Sequence, residues 1–141
     1  MEFTYRGYSE EQYFYQEYDV AFDISYGGYS YSGVASCSNF GETCSFSEDY
    51  SIGGVSYRVE DSSVSSGSTI DTYNVTATVY HETEGYIVFS ATDVMIDSSG
   101  NVCSGSIEVY NSSQEVVLSV EFPDCNTYIL TYNGVAETYS Q

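Results

Sequence analysis

From residue 19 onward, apolar and polar side chains alternate with a period of two. Val20, Phe22 and Ile24 interleave with Asp19, Ala21 and Asp23, the pattern of a half-buried β-strand. A second strand is predicted from Tyr29 towards Cys37. Further strands are predicted over 55–62, 70–81, 85–96, 102–110, 115–122, 127–132 and 135–139. Residues 38–54 read as a loop carrying Cys44, three acids and Gly53-Gly54.

The links between strands are short and polar. Gly27-Gly28, His81–Gly85, Asp97–Asn101, Asn111–Gln114 and above all Asn133-Gly134 are turn sequences. Short links join antiparallel neighbours, so the expected fold is all-β: an antiparallel meander of about nine strands, arranged as a β-sandwich or barrel-like. In 115–122, Val116, Leu118, Val120 and Phe122 oppose Glu115, Ser119 and Glu121, so one face of that strand meets water. In 85–96 both faces are apolar, which predicts a central, doubly buried strand.

The first 18 residues differ. Ser9-Glu10-Glu11-Gln12 fits a capping box and predicts a short helix over 10–18, with Tyr8 and Tyr13 as its staple. Alternation of Tyr13 and Tyr15 with Phe14 and Gln16 supports a strand instead. The chain is accordingly divided into a Tyr-rich segment, 1–18, and an antiparallel β domain, 19–141. Tyr5, Tyr8, Tyr13, Tyr15 and Tyr18 are the candidate assembly contacts.

Charge narrows the partners. Twenty-one acids face two arginines and no lysine, a formal net charge of −19 over 141 residues. Phosphate backbones need clustered cations, which Arg6 and Arg58 cannot supply, so nucleic acid is excluded. Anionic membranes are repelled for the same reason, and no apolar run is long enough to span a bilayer, so no membrane insertion is expected. Self-association, a protein partner or a glycan remain. No lysine is present for an isopeptide crosslink or a Schiff base. At this length a sizeable core is expected.

Four cysteines, Cys37, Cys44, Cys103 and Cys125, predict two disulfides and an oxidising compartment. A hairpin centred on 111–114 places Cys103 opposite about Phe122, with Pro123 ending the strand, which favours Cys103–Cys125 and so Cys37–Cys44. Zinc is disfavoured by the lack of a Cys-x-x-Cys pair and by the single histidine. The start of the chain carries no secretory leader, so a secreted protein is read here in mature or recombinant form.

Candidate chemistry is sparse. His81 is the only base for a catalytic triad, with no Gly-x-Ser-x-Gly elbow beside it, so a turn role is expected. With so many carboxylates, pairs suited to glycoside hydrolysis carry little information. Calcium is the one cofactor left open: Asp97, Ser99 and Asn101 offer alternating oxygens, without the sixth-position glycine of an EF-hand. Asn74-Val75-Thr76 and Asn111-Ser112-Ser113 fit the glycosylation sequon. The composition favours a non-enzymatic, extracellular or cell-surface structural protein that self-assembles. A secreted binding module for a glycan or cationic partner, calcium-assisted or not, is the alternative.

Overall fold

The computed structural model describes residues 2–9, 14–26, 29–38 and 43–141. They form eleven strands: β1 (Glu2–Ser9), β2 (Phe14–Tyr26), β3 (Tyr29–Ser38), β4 (Thr43–Ile52), β5 (Val55–Ser66), β6 (Tyr73–His81), β7 (Gly85–Ile96), β8 (Val102–Tyr110), β9 (Val116–Asp124), β10 (Thr127–Tyr132) and β11 (Val135–Ser140). The strand order in the sheet is the order in sequence, and every registered pair is antiparallel. The expected all-β meander is what the chain forms. Its strands belong to one hydrogen-bonded sheet and are not divided between two.

Eleven strands stand where about nine are expected, because β1 and β4 are disguised in the sequence. Thr43–Ile52 resembles a loop because every second residue is Thr, Ser or Asp. The intervening Cys44, Phe46, Tyr50 and Ile52 keep the strand period, and β4 pairs with β3 from Tyr29↔Ile52 to Ser38↔Thr43. Within the predicted helix, Phe14 to Tyr18 are strand, paired from Tyr5↔Tyr18 to Ser9↔Phe14. Cross-strand pairing thus takes Phe14 to Tyr18 into the sheet, while the cap residues Glu10, Glu11 and Gln12 lie outside the described residues, as do Tyr13 and Gly27-Gly28. β2 runs unbroken through residue 18.

Contact density divides the chain into two units: Met1–Ser65 with Ala77–Tyr86, and Ser66–Thr76 with Ile87–Gln141. Among the described residues the sizeable core expected from the length is not found. The buried apolar residues among those described are Cys37, Val59, Ala77, Ala91 and Cys103, all small or medium in size. β7 has two internal neighbours as expected, yet Ile87 and Ile96 are exposed and only its Ala91 is buried.

In the first unit, β5 bulges against β4: Glu48 pairs with Val59, but Cys44 with Val64. Asp61 takes the left-handed conformation there (φ 50°). The Ser62 hydroxyl fills the gap, accepting the Phe46 amide at 3.0 Å and donating to the Phe46 carbonyl. In the second unit, Pro123 lies inside β9 and does not end it. Thr127 pairs with Asp124 but Ile129 with Glu121, so Phe122 and Pro123 together face Tyr128. A bulge is where a residue without an amide hydrogen is tolerated.

Candidate functional site

The registers of β2 to β5 sort the first unit into two unlike faces. Tyr31, Tyr50 and Tyr57 are direct cross-strand partners, and Ile24 is opposite Tyr31. Phe22, Val20, Cys37, Ala35, Tyr29, Cys44, Phe46, Ile52, Val55 and Val59 share their parity, so one face is aromatic and aliphatic. The other carries Asp19, Asp23, Ser30, Ser32, Ser36, Ser45, Ser47, Asp49, Ser51, Ser56 and Arg58.

The rings on the first face form a row. Phe22 and Tyr31 stack with centroids 4.9 Å apart, and Tyr50 and Tyr57 stack at 4.9 Å and 10°. The ring of His81 meets Tyr57 edge-on at 5.1 Å. Such cross-strand aromatic pairs each stabilise a sheet by about 0.2–1 kcal/mol. The face is not closed off, since Tyr29, Ile24 and Ile52 are each about half exposed.

One acid, Glu48, shares this apolar face. It hydrogen-bonds the Tyr31 hydroxyl; burial first, then that bond and the carboxylate's charge, push the Tyr31 phenol up to about 12. Tyr50 is raised as well, by burial first and then by Tyr57 and Glu48. The sign follows from the neutral phenol being favoured in the fold. The contribution of Tyr31 to stability is complete below pH 10.0, its ordinary value, and is lost as pH climbs through about 12. Urea melts between these limits should therefore show falling stability, and Tyr31→Phe should lose less than the parent. Equal alkaline losses in both would contradict this role.

A shallow depression of about 430 Å³ is lined by Tyr57 and His81 and also by Asp49, Ser56 and Arg58 of the polar face. Its cation is already engaged: Arg58 Nε lies 2.7 Å from Asp49, and a second guanidinium nitrogen 3.6 Å from Glu60. His81 serves the turn. Its Nδ1 accepts the amides of Thr83 at 3.2 Å and Glu84 at 3.1 Å, which in the neutral ring places the hydrogen on Nε2. Neither glutamate of that turn has a hydrogen bond to the ring among the described residues. No nucleophile–base–acid arrangement is assembled around His81 among them.

In the second unit, Phe89, Ala91, Ile107, Val109, Leu118, Val120, Leu130 and Tyr132 share one parity. Tyr128 and Tyr139 continue this face, opposite each other and stacked at 5.3 Å and 18°, with Phe122 6.3 Å from Tyr128. Here too a glutamate sits among the rings: Glu137 accepts the Tyr139 hydroxyl.

The calcium candidates occupy one tight turn. Asp97 Oδ1 accepts the amides of Ser99 at 2.8 Å and Asn101 at 3.0 Å, the ordinary use of Asp in an Asx turn. Ligand-type atoms of Asp97, Cys103 and Cys125 lie within 4.8 Å of one another, but both sulfurs are committed to a disulfide. Asn111 likewise holds its own turn, its Oδ1 accepting the amides of Ser113 and Glu115. Asn74 ties strands together, donating to the Ser66 carbonyl and accepting the Asp93 amide.

Both predicted disulfides are present, Cys37–Cys44 and Cys103–Cys125, with no free cysteine. Cys37 and Cys44 are register partners on adjacent strands, so the bridge clasps a hairpin and does not pin a loop's base. The register near Cys103 differs by two from the expected one. The turn closes between Asn111 and Glu115, and a bulge follows, so Ser106 pairs with Glu121. Carried three residues further, that register sets Cys103 opposite Asp124, next to Cys125. The disulfides are those of an oxidising environment. Among the described residues no helix is long and apolar enough to cross a membrane.

Of the five N-terminal tyrosines, Tyr5 and Tyr18 are brought together with rings 6.4 Å apart, and the backbones of Tyr8 and Tyr15 are paired. Tyr13 lies outside the described residues. The aromatic row of Tyr31, Tyr50 and Tyr57 is not among the contacts expected from sequence. A signal for it exists: Gly53-Gly54 as a two-residue turn sets Tyr50 opposite Tyr57. No protein-family model matches the chain, and neither a curated protein nor a solved structure is found to match it.

Proposed function

We propose that this chain is a non-enzymatic subunit of an extracellular or cell-surface assembly, a filament or adhesive layer. The observation that carries the proposal is the incompletely covered aromatic face: Tyr29, Ile24, Ile52 and Tyr31 remain 39–58 % exposed on a face whose other side is mainly serine and acid, with Ala21, Val34 and Arg58 among them. Apolar area of this kind is covered in water by a partner surface. The terminal strands β1 and β11 add to this, since each has one neighbour in the strand order and β11 is exposed at every residue. Strand ends of this sort accept a further strand. The disulfides suit the compartment.

Light scattering of the non-reduced protein at low and high salt tests it. Particles several times the 15.6 kDa subunit are expected, growing as salt screens the −19 charge. A monomer at every salt concentration overturns the proposal. The stacked Tyr50–Tyr57 pair supports a second reading, a platform for a neutral glycan, with or without calcium. A persistent monomer that binds glycans on an array, and loses them on Tyr57→Ala, supports that second reading.

A further inference from the structure

We infer that Tyr139 on β11 is a site of oxidative tyrosine coupling between two copies of this chain, with Glu137 as the proton acceptor. Three observations meet there. The Tyr139 hydroxyl donates to a Glu137 carboxylate oxygen. The ring stacks on Tyr128 at 5.3 Å, so an unpaired electron formed on it has an adjacent aromatic system. The residue lies on the last strand of the sheet, with 39 % of its surface exposed.

A phenol that loses an electron becomes a strong acid, and its oxidation is fastest where a base already holds the proton. Glu137 is such a base at hydrogen-bond reach. The raised pKa of Tyr139, caused first by that bond, accords with a neutral phenol whose proton leaves only with the electron. Tyr132 provides the contrast: it is more exposed, at 56 %, and has no carboxylate partner among the described residues. Tyr110 has a carboxylate, Glu108 at 2.5 Å, but is half-buried. Tyr31 matches Tyr139 in exposure and in its carboxylate, Glu48, but it lies on β3, flanked by β2 and β4, whereas Tyr139 lies on a strand with one side open to a second copy.

The oxidant is hydrogen peroxide acting through a haem peroxidase. Each of two phenols gives up one electron and its hydroxyl proton. A C–C bond forms between ring carbons ortho to the two oxygens, and the ortho hydrogens then move to oxygen and restore both phenols. The two electrons and two protons reduce one peroxide to two waters. Coupling runs between copies, because a biaryl bond holds its Cβ atoms farther apart than the roughly 4.5–5.5 Å of directly opposite residues such as Tyr128 and Tyr139. It does not rest on the assembly proposed above, since two copies need only meet in solution.

The test is treatment of the full chain with a haem peroxidase and peroxide, followed by non-reducing electrophoresis, dityrosine fluorescence and peptide mapping. A covalent dimer is expected whose crosslinked peptides mostly contain Tyr139. Tyr139→Phe should remove most of it, and Tyr132→Phe should not. Glu137→Gln should slow its formation by roughly tenfold, less than the full effect of a positioned base because water also accepts protons. Mapping the unaltered chain guards against misfolded variants. Crosslinks that follow exposure, with Tyr132 ahead of Tyr139, overturn the inference, as does a dimer yield unmoved by Tyr139→Phe.

Discussion

Reduction of its two disulfides is expected to unfold this protein at room temperature. Closing the loop of 22 residues between Cys103 and Cys125 removes unfolded-state entropy worth roughly 3.5 kcal/mol, and the loop of seven between Cys37 and Cys44 roughly 2.5 kcal/mol. The loops share no residues, so the two effects should nearly add. Their sum is comparable to the whole stability of many small domains, about 5–15 kcal/mol.

Little else in the chain can take their place. No large described side chain is fully buried, and Cys37 and Cys103 are themselves two of the five buried apolar residues. The strands also carry their charge unevenly, with −19 overall opposing compaction. Urea titrations of Cys103→Ala/Cys125→Ala and Cys37→Ala/Cys44→Ala check the ranking, and amide chemical-shift dispersion in reductant checks the total. The 103–125 double variant should lose more. A fully reduced chain that keeps its dispersion and its urea midpoint would show that the sheet stands without its crosslinks.

The same crosslinks show what can be read from the sequence and what cannot. The pairing of all four cysteines follows from hairpin spacing, even though the register expected opposite Cys103 is two residues out. A turn closed by Asn111 and Glu115 plus a bulge shifts the register, and period-two alternation carries no trace of a bulge. The bounds of β7, β8 and β10 are fully legible, because each lies between strong turn sequences. β4 is hidden by composition: its polar residues are those of loops, and only their alternation marks a strand.

The aromatic row escapes sequence reading for a related reason. Tyr50 and Tyr57, like Tyr128 and Tyr139, are separated by turns, and only counting outward from Gly53-Gly54 and Asn133-Gly134 pairs them. Asn133 and Gly134 both have positive φ, 50° and 74°, as a two-residue hairpin turn requires. The acids within the rows, Glu48 and Glu137, break the apolar pattern that sequence reasoning looks for. Their value lies in the tyrosine hydroxyls they accept.

Gly105→Ala should destabilise the second unit by about 2–5 kcal/mol. Two causes combine. Gly105 has φ +96°, where an L side chain is strained by roughly 1–2 kcal/mol. Its added Cβ would also lie 2.5 Å from the Thr92 carbonyl oxygen and 2.7 Å from the Asp93 backbone, and relieving such overpacking costs about 1–3 kcal/mol. Gly100 separates the two. It has nearly the same φ, +92°, with nothing within 4 Å of where a Cβ would stand, so Gly100→Ala should show the conformational cost alone.

The close approach at Gly105 has a structural purpose. Thr92 pairs with Ser106 and Met95 with Ser104, so Asp93 and Val94 together face this one glycine in a bulge. The bulge turns Asp93 to its partners. Its carboxylate accepts the Ser68 amide at 2.6 Å and hydroxyl at 2.8 Å, its amide donates to Asn74 at 2.9 Å, and its carbonyl accepts the Ser104 hydroxyl at 3.2 Å. The Ser68 bonds hold the Asp93 carboxyl below its ordinary range. A side chain at 105 that forces the bulge open should loosen this set, so Gly105→Ala should raise the Asp93 pKa and expose the Ser68 amide to exchange. Carboxyl titration and amide exchange by NMR read both. Equal stability losses in Gly105→Ala and Gly100→Ala, with Asp93 unmoved, would mean that the bulge tolerates a side chain and that conformation alone selects glycine there.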